Sequence, residues 1–287
     1  MKDFPSLDEA VAASYLEPPA SYQAFAAFVL DFYDHYGRTF PWRETDDVYR
    51  VLLSEMMLQQ TQTGRVLEKY REFLSLWPSL EDLAFAPFDQ LLDHWRGLGY
   101  NRRALNLKKC AQASGAYGYT LPCDEKALLA LPGIGPSTAA AIIAFSYHKP
   151  AIYLETNIRR VLLFAFHPQE EGVDDRILRD DLKRLLPFAG DGKRWYYALM
   201  DYGVLLKHLV PNPNARSKGY HRQSRFEGSS RQVRGMLVHV LSESGARDAQ
   251  TLYGMLPFDS ESIDKALSGL VRDGLVSHVG RLYRISR

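Results

Sequence analysis

From Ser21 to about Leu206 apolar residues recur at three- and four-residue spacing and almost never alternate, which commits this stretch to helix. Segments Tyr49–Leu58, Arg65–Leu74, Phe88–Trp95, Ala104–Ser114, Pro136–Phe145, Arg159–Phe166, Asp175–Leu186 and Lys193–Leu206 each carry the pattern. Breaks fall at Trp77-Pro78, Gly97-Leu98-Gly99, Leu121-Pro122, Pro132-Gly133 and Gly190-Asp191-Gly192, where Pro and Gly supply turn geometry. An all-α body is predicted. With 287 residues, 46% of them apolar, the chain can build two cores. No apolar run is long enough to span a bilayer, and MKDFPSLDEA has neither the basic start nor the apolar stretch of a signal peptide. A cytoplasmic location without membrane contact is therefore expected.

The character of the chain changes at Pro211–Ser230, where Pro, Asn, Gly, Ser and Arg accumulate without a period, as in a linker or basic loop. Beyond it lie helical patterns at Arg231–Ser242, Ala249–Leu256 and Ser260–Arg272, then short alternating runs Leu275–Val279 and Leu282–Ile285 around Gly280-Arg281. That order predicts a C-terminal winged helix over 231–287, which either touches nucleic acid or packs against the helical body.

Within the body, Leu131–Ala139 reads LPGIGPSTA, a Gly-x-Gly turn entering a helix. Such a turn presents backbone N–H groups, here those of Gly133, Gly135 and Ser137, and the positive end of a helix dipole, to an anion such as a phosphate. Glu155 follows eighteen residues after Ser137. Upstream, Glu55 sits in a helix among Leu52, Met56 and Leu58, where burial would favour its neutral form, as proton donation requires; a place on a polar face is the plainer reading. Net charge is only +1, yet Arg102, Arg103, Lys108 and Lys109 cluster, as do Arg216, Lys218, His221, Arg222, Arg225, Arg231 and Arg234 with Tyr220 and Phe226 among them. Both clusters suit a phosphate backbone or a solvated face. Two cysteines, Cys110 and Cys123, are too few for a Cys-based zinc or iron–sulfur site, and no metal cluster is expected.

Four runs in this order, SEMMLQQTQ, WRGLGYNRRALNL, LPGIGPSTA and ETNIRRVL, resemble the motif series of the helix-hairpin-helix DNA glycosylases, nearest their adenine-specific branch. The resemblance covers roughly residues 21–206. It implies two helical lobes with a cleft between them, a six-helix lobe at about 46–152 and a second from about 21–45 and 153–210, followed by the basic linker 211–230. It also implies an enzyme of base-excision repair that flips a mispaired or damaged base from duplex DNA and acts as a monomer. Carried onto this sequence, Glu55 resembles the acid that protonates the leaving adenine. Glu155 takes the place of the carboxylate that opposes positive charge on the sugar, and Asn157 resembles the residue that orients the first acid. As a residue, Asn157 also reads as the N-cap of a helix over Ile158–Phe164. Ser137 stands where members that nick the strand carry Lys, which implies a hydrolytic enzyme without lyase chemistry. Gln60 and Tyr100 match side chains that enter the duplex when a base leaves it. Gly133, Gly135 and Ser137 resemble the phosphate grip, and the carbonyls of Leu129, Leu131 and Ile134 resemble a monovalent-cation site. Arg102, Arg103, Arg222 and Arg225 are the further candidates for DNA contact.

The chain also departs from that pattern. Glu155 replaces the family's Asp and Asn101 its second Tyr, while Lys207 stands where the first cluster Cys would be. Neither an iron–sulfur loop nor a domain that senses an oxidised purine is expected after the body. Mispaired adenine remains the favoured base. Mispaired uracil or thymine, or an oxidised pyrimidine, is the alternative, and a DNA-structure-binding protein with a decayed site is the other.

Overall fold

The computed structural model describes residues 3–4, 7–221 and 225–286. Helices follow in the order α1 (Glu9–Ser14), α2 (Tyr22–Tyr36), α3 (Val48–Leu58), α4 (Thr63–Leu76), α5 (Leu80–Phe85), α6 (Phe88–His94), α7 (Arg102–Ala113) and α8 (Glu125–Leu129). Next come α9 (Pro136–Ser146), α10 (Thr156–Ala165), α11 (Asp175–Leu185), α12 (Gly192–Leu209) and α13 (Ser230–Ser244). The chain closes with β1 (Arg247–Asp248), α14 (Ala249–Met255), α15 (Ser260–Arg272), β2 (Val276–Val279) and β3 (Leu282–Ile285). The chain divides into two compact units.

The first unit comprises Met1–Asp47, Cys123–Glu125 and Gly135–Arg222. Its core is aromatic: Phe25, Phe32 and Tyr202 are fully buried, and Tyr202 meets Phe28 and Phe32 edge-on at 5.7 and 5.8 Å. Such perpendicular contacts place ring edges on ring faces, which the quadrupole favours. Beneath this core Asp201 of α12, fully buried, accepts from Arg43 Nη1 and Nη2 at 2.8 Å each and from the Arg38 amide at 2.7 Å. A buried carboxylate is tolerable only with its oxygens satisfied this way, and the arrangement fixes the chain after α2 in register with α12. Helix α9 is apolar on every side, Thr138–Phe145 being buried throughout, as a helix enclosed by its neighbours must be.

The segment read as a linker begins as something else. Pro213–Arg216 forms a 3-10 turn, Val173 and Ser217 make a parallel bridge, and buried Asn214 donates Nδ2 to the Thr156 carbonyl at 3.1 Å. Arg216 donates to the Leu163 carbonyl at 2.7 Å. The first part of the basic segment is thus a strap across α10, because its Asn and Arg side chains satisfy helix carbonyls that composition cannot foresee.

The second unit comprises Val48–Pro122, Lys126–Ile134 and Gln223–Arg287. Trp95 and Phe73 are fully buried and cross at 5.7 Å, and Leu52, Leu53 and Leu91 are fully buried in the same unit. The C-terminal module packs into this same unit, with Gly274 3.7 Å from Leu105 of α7 when given a Cβ, and Arg96 paired with Glu243 at 3.0 Å. Its three helices bury Leu237, Leu241, Leu252, Ile263 and Leu267. A three-stranded sheet ordered β1-β3-β2 completes it, with Val276 opposite Ile285 and Arg247 opposite Tyr283. The short strand β1 escaped the sequence reading because two residues carry no period.

Candidate active site and nucleic-acid interface

Glu155 forms the cap of α10. Its Oε1 accepts from the amides of Asn157 at 2.7 Å and Ile158 at 2.9 Å, and its Oε2 from Asn157 Nδ2 at 3.3 Å. The expectation that Asn157 caps this helix therefore gives way: the helix begins at Thr156, so the first unpaired amides fall within reach of the Glu155 carboxylate. Asn157 lies inside the first turn instead, its Oδ1 accepting from Arg160 Nη1 at 2.7 Å. That same Nη1 donates to the Gly203 carbonyl at 2.8 Å. A Cβ on Gly203 would lie 2.5 Å from the Asn157 carbonyl oxygen, so only glycine lets α12 approach this turn. The chain Gly203–Arg160–Asn157–Glu155 leaves the acid little freedom.

Burial pushes the Glu155 carboxyl above the usual carboxylate range, against the two amides and the Arg160 and Arg159 guanidiniums, which favour its charged form. An acid that is costly to ionise gains most when a cation develops beside it. Ser137, exposed on the first turn of α9, donates Oγ to the Leu154 carbonyl at 3.3 Å and so holds the start of α9 against the residue preceding Glu155. Gly135 caps α9 without a side chain and Pro136 follows, so no side chain is spent on the first-turn amides. The preceding turn has Gly133 at φ 77°, where a Cβ would strike Asn106 at 2.5 Å. These are the features of an anion-binding turn.

In the second unit, Glu55 is half-buried on α3, whose Leu52, Leu53, Met56 and Met57 are buried. Helix α3 runs out into Gln60 at φ 56°, and the Gly97-Leu98-Gly99 turn runs into Tyr100 at φ 49°. Left-handed backbone at residues other than glycine costs about 1–2 kcal/mol and survives where the surroundings impose it. Arg103 is what imposes it. Buried, it donates to the carbonyls of Met56 at 2.7 Å, Met57 at 2.9 Å, Leu98 at 2.8 Å and Gly99 at 2.9 Å, and to Thr61 Oγ1 at 3.1 Å. Arg65 donates to the Gly97 carbonyl at 3.1 Å and Trp95 Nε1 to the Gly99 carbonyl at 3.1 Å, which completes the pinning.

The expectation that Arg103 meets phosphate is thereby corrected, since its Nη1 and Nη2 are turned to the carbonyls at the end of α3 and in the Leu98-Gly99 turn and to the Thr61 hydroxyl, and the guanidinium is buried. Lys108 goes the same way, buried with Nζ donating to the Leu83 and Ala84 carbonyls at 3.1 and 2.6 Å near the end of α5. Arg102 is exposed, within 3.5 Å of Asp273, and Arg225 is exposed. Arg222 lies outside the described residues. The sequence reading missed Arg160 and Gly203 as supports of Glu155. Arg160 falls three residues after Asn157 in a run already singled out, a helical spacing that could have flagged it, whereas Gly203 shows only as a glycine inside a helix.

A model of the HhH-GPD superfamily of base excision DNA repair proteins matches residues 53–187. An adenine DNA glycosylase of Mycolicibacterium smegmatis is 33% identical over 266 residues, covering 86% of this chain and 91% of its own. A thymine/uracil-DNA glycosylase of Methanothermobacter thermautotrophicus is 30% identical over 188 residues, covering 64% of this chain and 85% of its own. Among solved structures, a thermostable thymine-DNA glycosylase matches with a TM-score of 0.57 at 29% identity, over 63% of this chain and 85% of that one.

Proposed function

The chain belongs to the HhH-GPD superfamily of base excision DNA repair proteins, and from that premise we propose that it is a DNA glycosylase that removes mispaired adenine by hydrolysis. The observation that carries this reading is Glu155 on the cap of α10, oriented through Asn157, Arg160 and Gly203. Departure of a base from C1′ leaves positive charge on the sugar. A carboxylate held by three donors meets that charge without reorganising, and its attraction is stronger in the transition state than to neutral substrate. Glu55, on a helix with a buried apolar face, supplies the proton with which adenine leaves as a neutral base. Water then adds to C1′ and gives up a proton, which restores the Glu55 acid. Ser137 has no amine to form a Schiff base, so the product is an abasic site and an intact strand.

Gln60 and Tyr100, on turns held by Arg103, fill the gap in the stack, while the amides of Gly133, Gly135 and Ser137 take a phosphate. A monovalent cation on the carbonyls of Leu129, Leu131 and Ile134 fits this turn: the Leu131 oxygen accepts the Ile134 amide at 3.2 Å and keeps its second lone pair. In this reading the protein works as a monomer on mismatched duplex DNA.

A second reading, thymine or uracil opposite guanine, is favoured by Asn101 beside Tyr100 and by the relative of that name. Duplexes carrying A, U, T, 5-hydroxyuracil or hypoxanthine opposite each base, treated with protein and then alkali, separate the two. Strand cleavage at adenine is expected. A profile confined to pyrimidines overturns the adenine reading, and cleavage of no duplex overturns the glycosylase reading. Borohydride should trap no covalent adduct; a lysine adduct would exclude simple hydrolysis.

A further inference from the structure

The first turn of α10 is braced from behind by a residue that the catalytic reading leaves unused. Asn214, buried in the strap Pro213–Ser217, donates Nδ2 to the Thr156 carbonyl at 3.1 Å. A carbonyl only accepts, so the amide nitrogen and not Oδ1 must face it. The Thr156 C=O and the Asn157 N–H are the two ends of one planar trans peptide. That N–H makes the shortest hydrogen bond to the Glu155 carboxylate, reaching Oε1 at 2.7 Å. Asn214, one peptide and the acid therefore lie in a single chain of donors and acceptors.

A donor on an amide oxygen draws electron density out of the C–N bond and strengthens the hydrogen bond made by the opposite N–H, by about 10–30%. The second amide on Oε1, that of Ile158, belongs to the next peptide, whose oxygen lies against Gly203 of α12. The strap thus backs one of the two amides and α12 the other. We propose that Asn214 is a positioning residue for Glu155: through the Thr156–Asn157 peptide it strengthens and aims the hydrogen bond on which the carboxylate rests.

The strap is anchored on both sides of Asn214. Asn212 Oδ1 accepts the Asn214 amide at 3.3 Å, and Arg216 donates to the Leu163 carbonyl at 2.7 Å. The Val173 amide donates to the Arg216 carbonyl and the Lys218 amide to that of Val173, both at 2.9 Å. Asn214 Oδ1, by contrast, is buried with no protein partner among the described residues. Leaving a buried acceptor unpaired costs stability, so packing alone would not select Asn214. The charges on neighbouring elements are already committed. Burial raises the Glu155 value, and Arg160 and Arg159 of α10 oppose it. Asp175 of α11 is clasped by Arg159 at 2.7 and 2.9 Å, Arg216 is spent on Leu163, and Asp201 of α12 is held by Arg43.

This assignment rests on the glycosylase reading, and one readout is independent of it. Asn214→Leu keeps the branch of the side chain and removes the donor, and Asn214→Ala removes both. The Leu variant also loses the unpaired Oδ1, so its melting temperature should stay near the wild-type value. A weaker Asn157 donor favours the neutral acid, so the acid limb of the excision profile should move to higher pH. At a pH on that limb the rate should fall about two- to threefold, with the alkaline limb and DNA affinity unchanged. In free protein, the Glu155 carboxyl carbon, labelled with carbon-13 and assigned by its absence from Glu155→Gln, should titrate at higher pH in both variants. Arg216→Met, which loosens the other end of the strap, should melt lower and leave that titration in place. A shift in either Asn214 variant that exceeds that of Arg216→Met supports the proposal. Wild-type titration in both overturns it. An equal shift in Arg216→Met does so too, since the strap would then act only by holding the helix, and so does loss of the fold in both Asn214 variants. If the wild-type protein cleaves no duplex, the glycosylase reading fails, and the carbon-13 titration alone decides the role of Asn214.

Discussion

At the scale of single residues, the proposed chemistry rests on Glu155. Glu155→Gln keeps an oxygen for the Asn157 and Ile158 amides, so the α10 cap should survive while the charge that opposes the sugar cation is lost. We expect kcat to fall by at least about 100-fold with DNA affinity unchanged, as single-turnover excision and anisotropy would show. Because burial raises the folded-state value of this carboxyl, its contribution to stability is complete below about pH 4.5 and declines as pH rises through the raised value. Thermal melts of the Gln variant should lack that decline. Gly203→Ala poses a contest of two terms. Alanine in a helix gains about 1 kcal/mol over glycine, but its Cβ would stand 2.5 Å from the Asn157 carbonyl oxygen, a backbone atom with no rotamer to yield. Overpacking of this kind costs about 1–3 kcal/mol, so the variant should be less stable in urea and excise more slowly. Glu155 and Asn157 were legible in the sequence because the motif names them; Gly203 was not, because its contact with Arg160 joins residues 43 positions apart.

At the scale of elements, two buried cations act as cross-braces. Arg103→Met would remove the side-chain donor from the Met56 and Met57 carbonyls, at about 1–3 kcal/mol for each oxygen left dry, while Trp95 Nε1 still reaches the Gly99 carbonyl and Thr61 Oγ1 that of Leu98. The urea midpoint should drop well beyond that of a surface Arg→Met control such as Arg272→Met, and excision should fall with it as the Gln60 and Tyr100 turns relax. An Arg103 variant of wild-type stability would remove this brace from the account. His167, just beyond α10, has Nε2 2.7 Å from Asp181 of α11 and Nδ1 2.8 Å from Glu170. Burial alone would lower its pKa, yet the two carboxylates outweigh it and the net value is raised. Its stabilisation is therefore complete below about pH 6.5 and is lost as pH rises through the raised folded value. His167→Gln should flatten the dependence of the melting temperature across that window; an unchanged slope would rule out this pair as its source.

At the scale of the whole molecule, the C-terminal module is part of a compact unit with α3–α7 and no detachable tail. Ending the chain before Arg231 should uncover buried Leu98 and Leu105 and lower the melting temperature or cause aggregation. A soluble truncation with an unchanged melt would show that the module contributes nothing to that core. The sequence by itself determined the helical body, its breaks, the hairpin turn, the order of the C-terminal elements and the two acids. Each is a local matter of period, turn chemistry or motif. Only the tertiary structure decided that Arg103 and Lys108, indistinguishable in sequence from surface cations, are buried braces, and that Pro213–Ser217 straps α10. It also decided that Asn214 of this strap reaches the peptide whose N–H holds Glu155. A charged side chain reports its type in the sequence, but whether it faces water or a neighbouring carbonyl depends on residues far along the chain. Burial sets the cost of leaving that charge unpaired, and so its role.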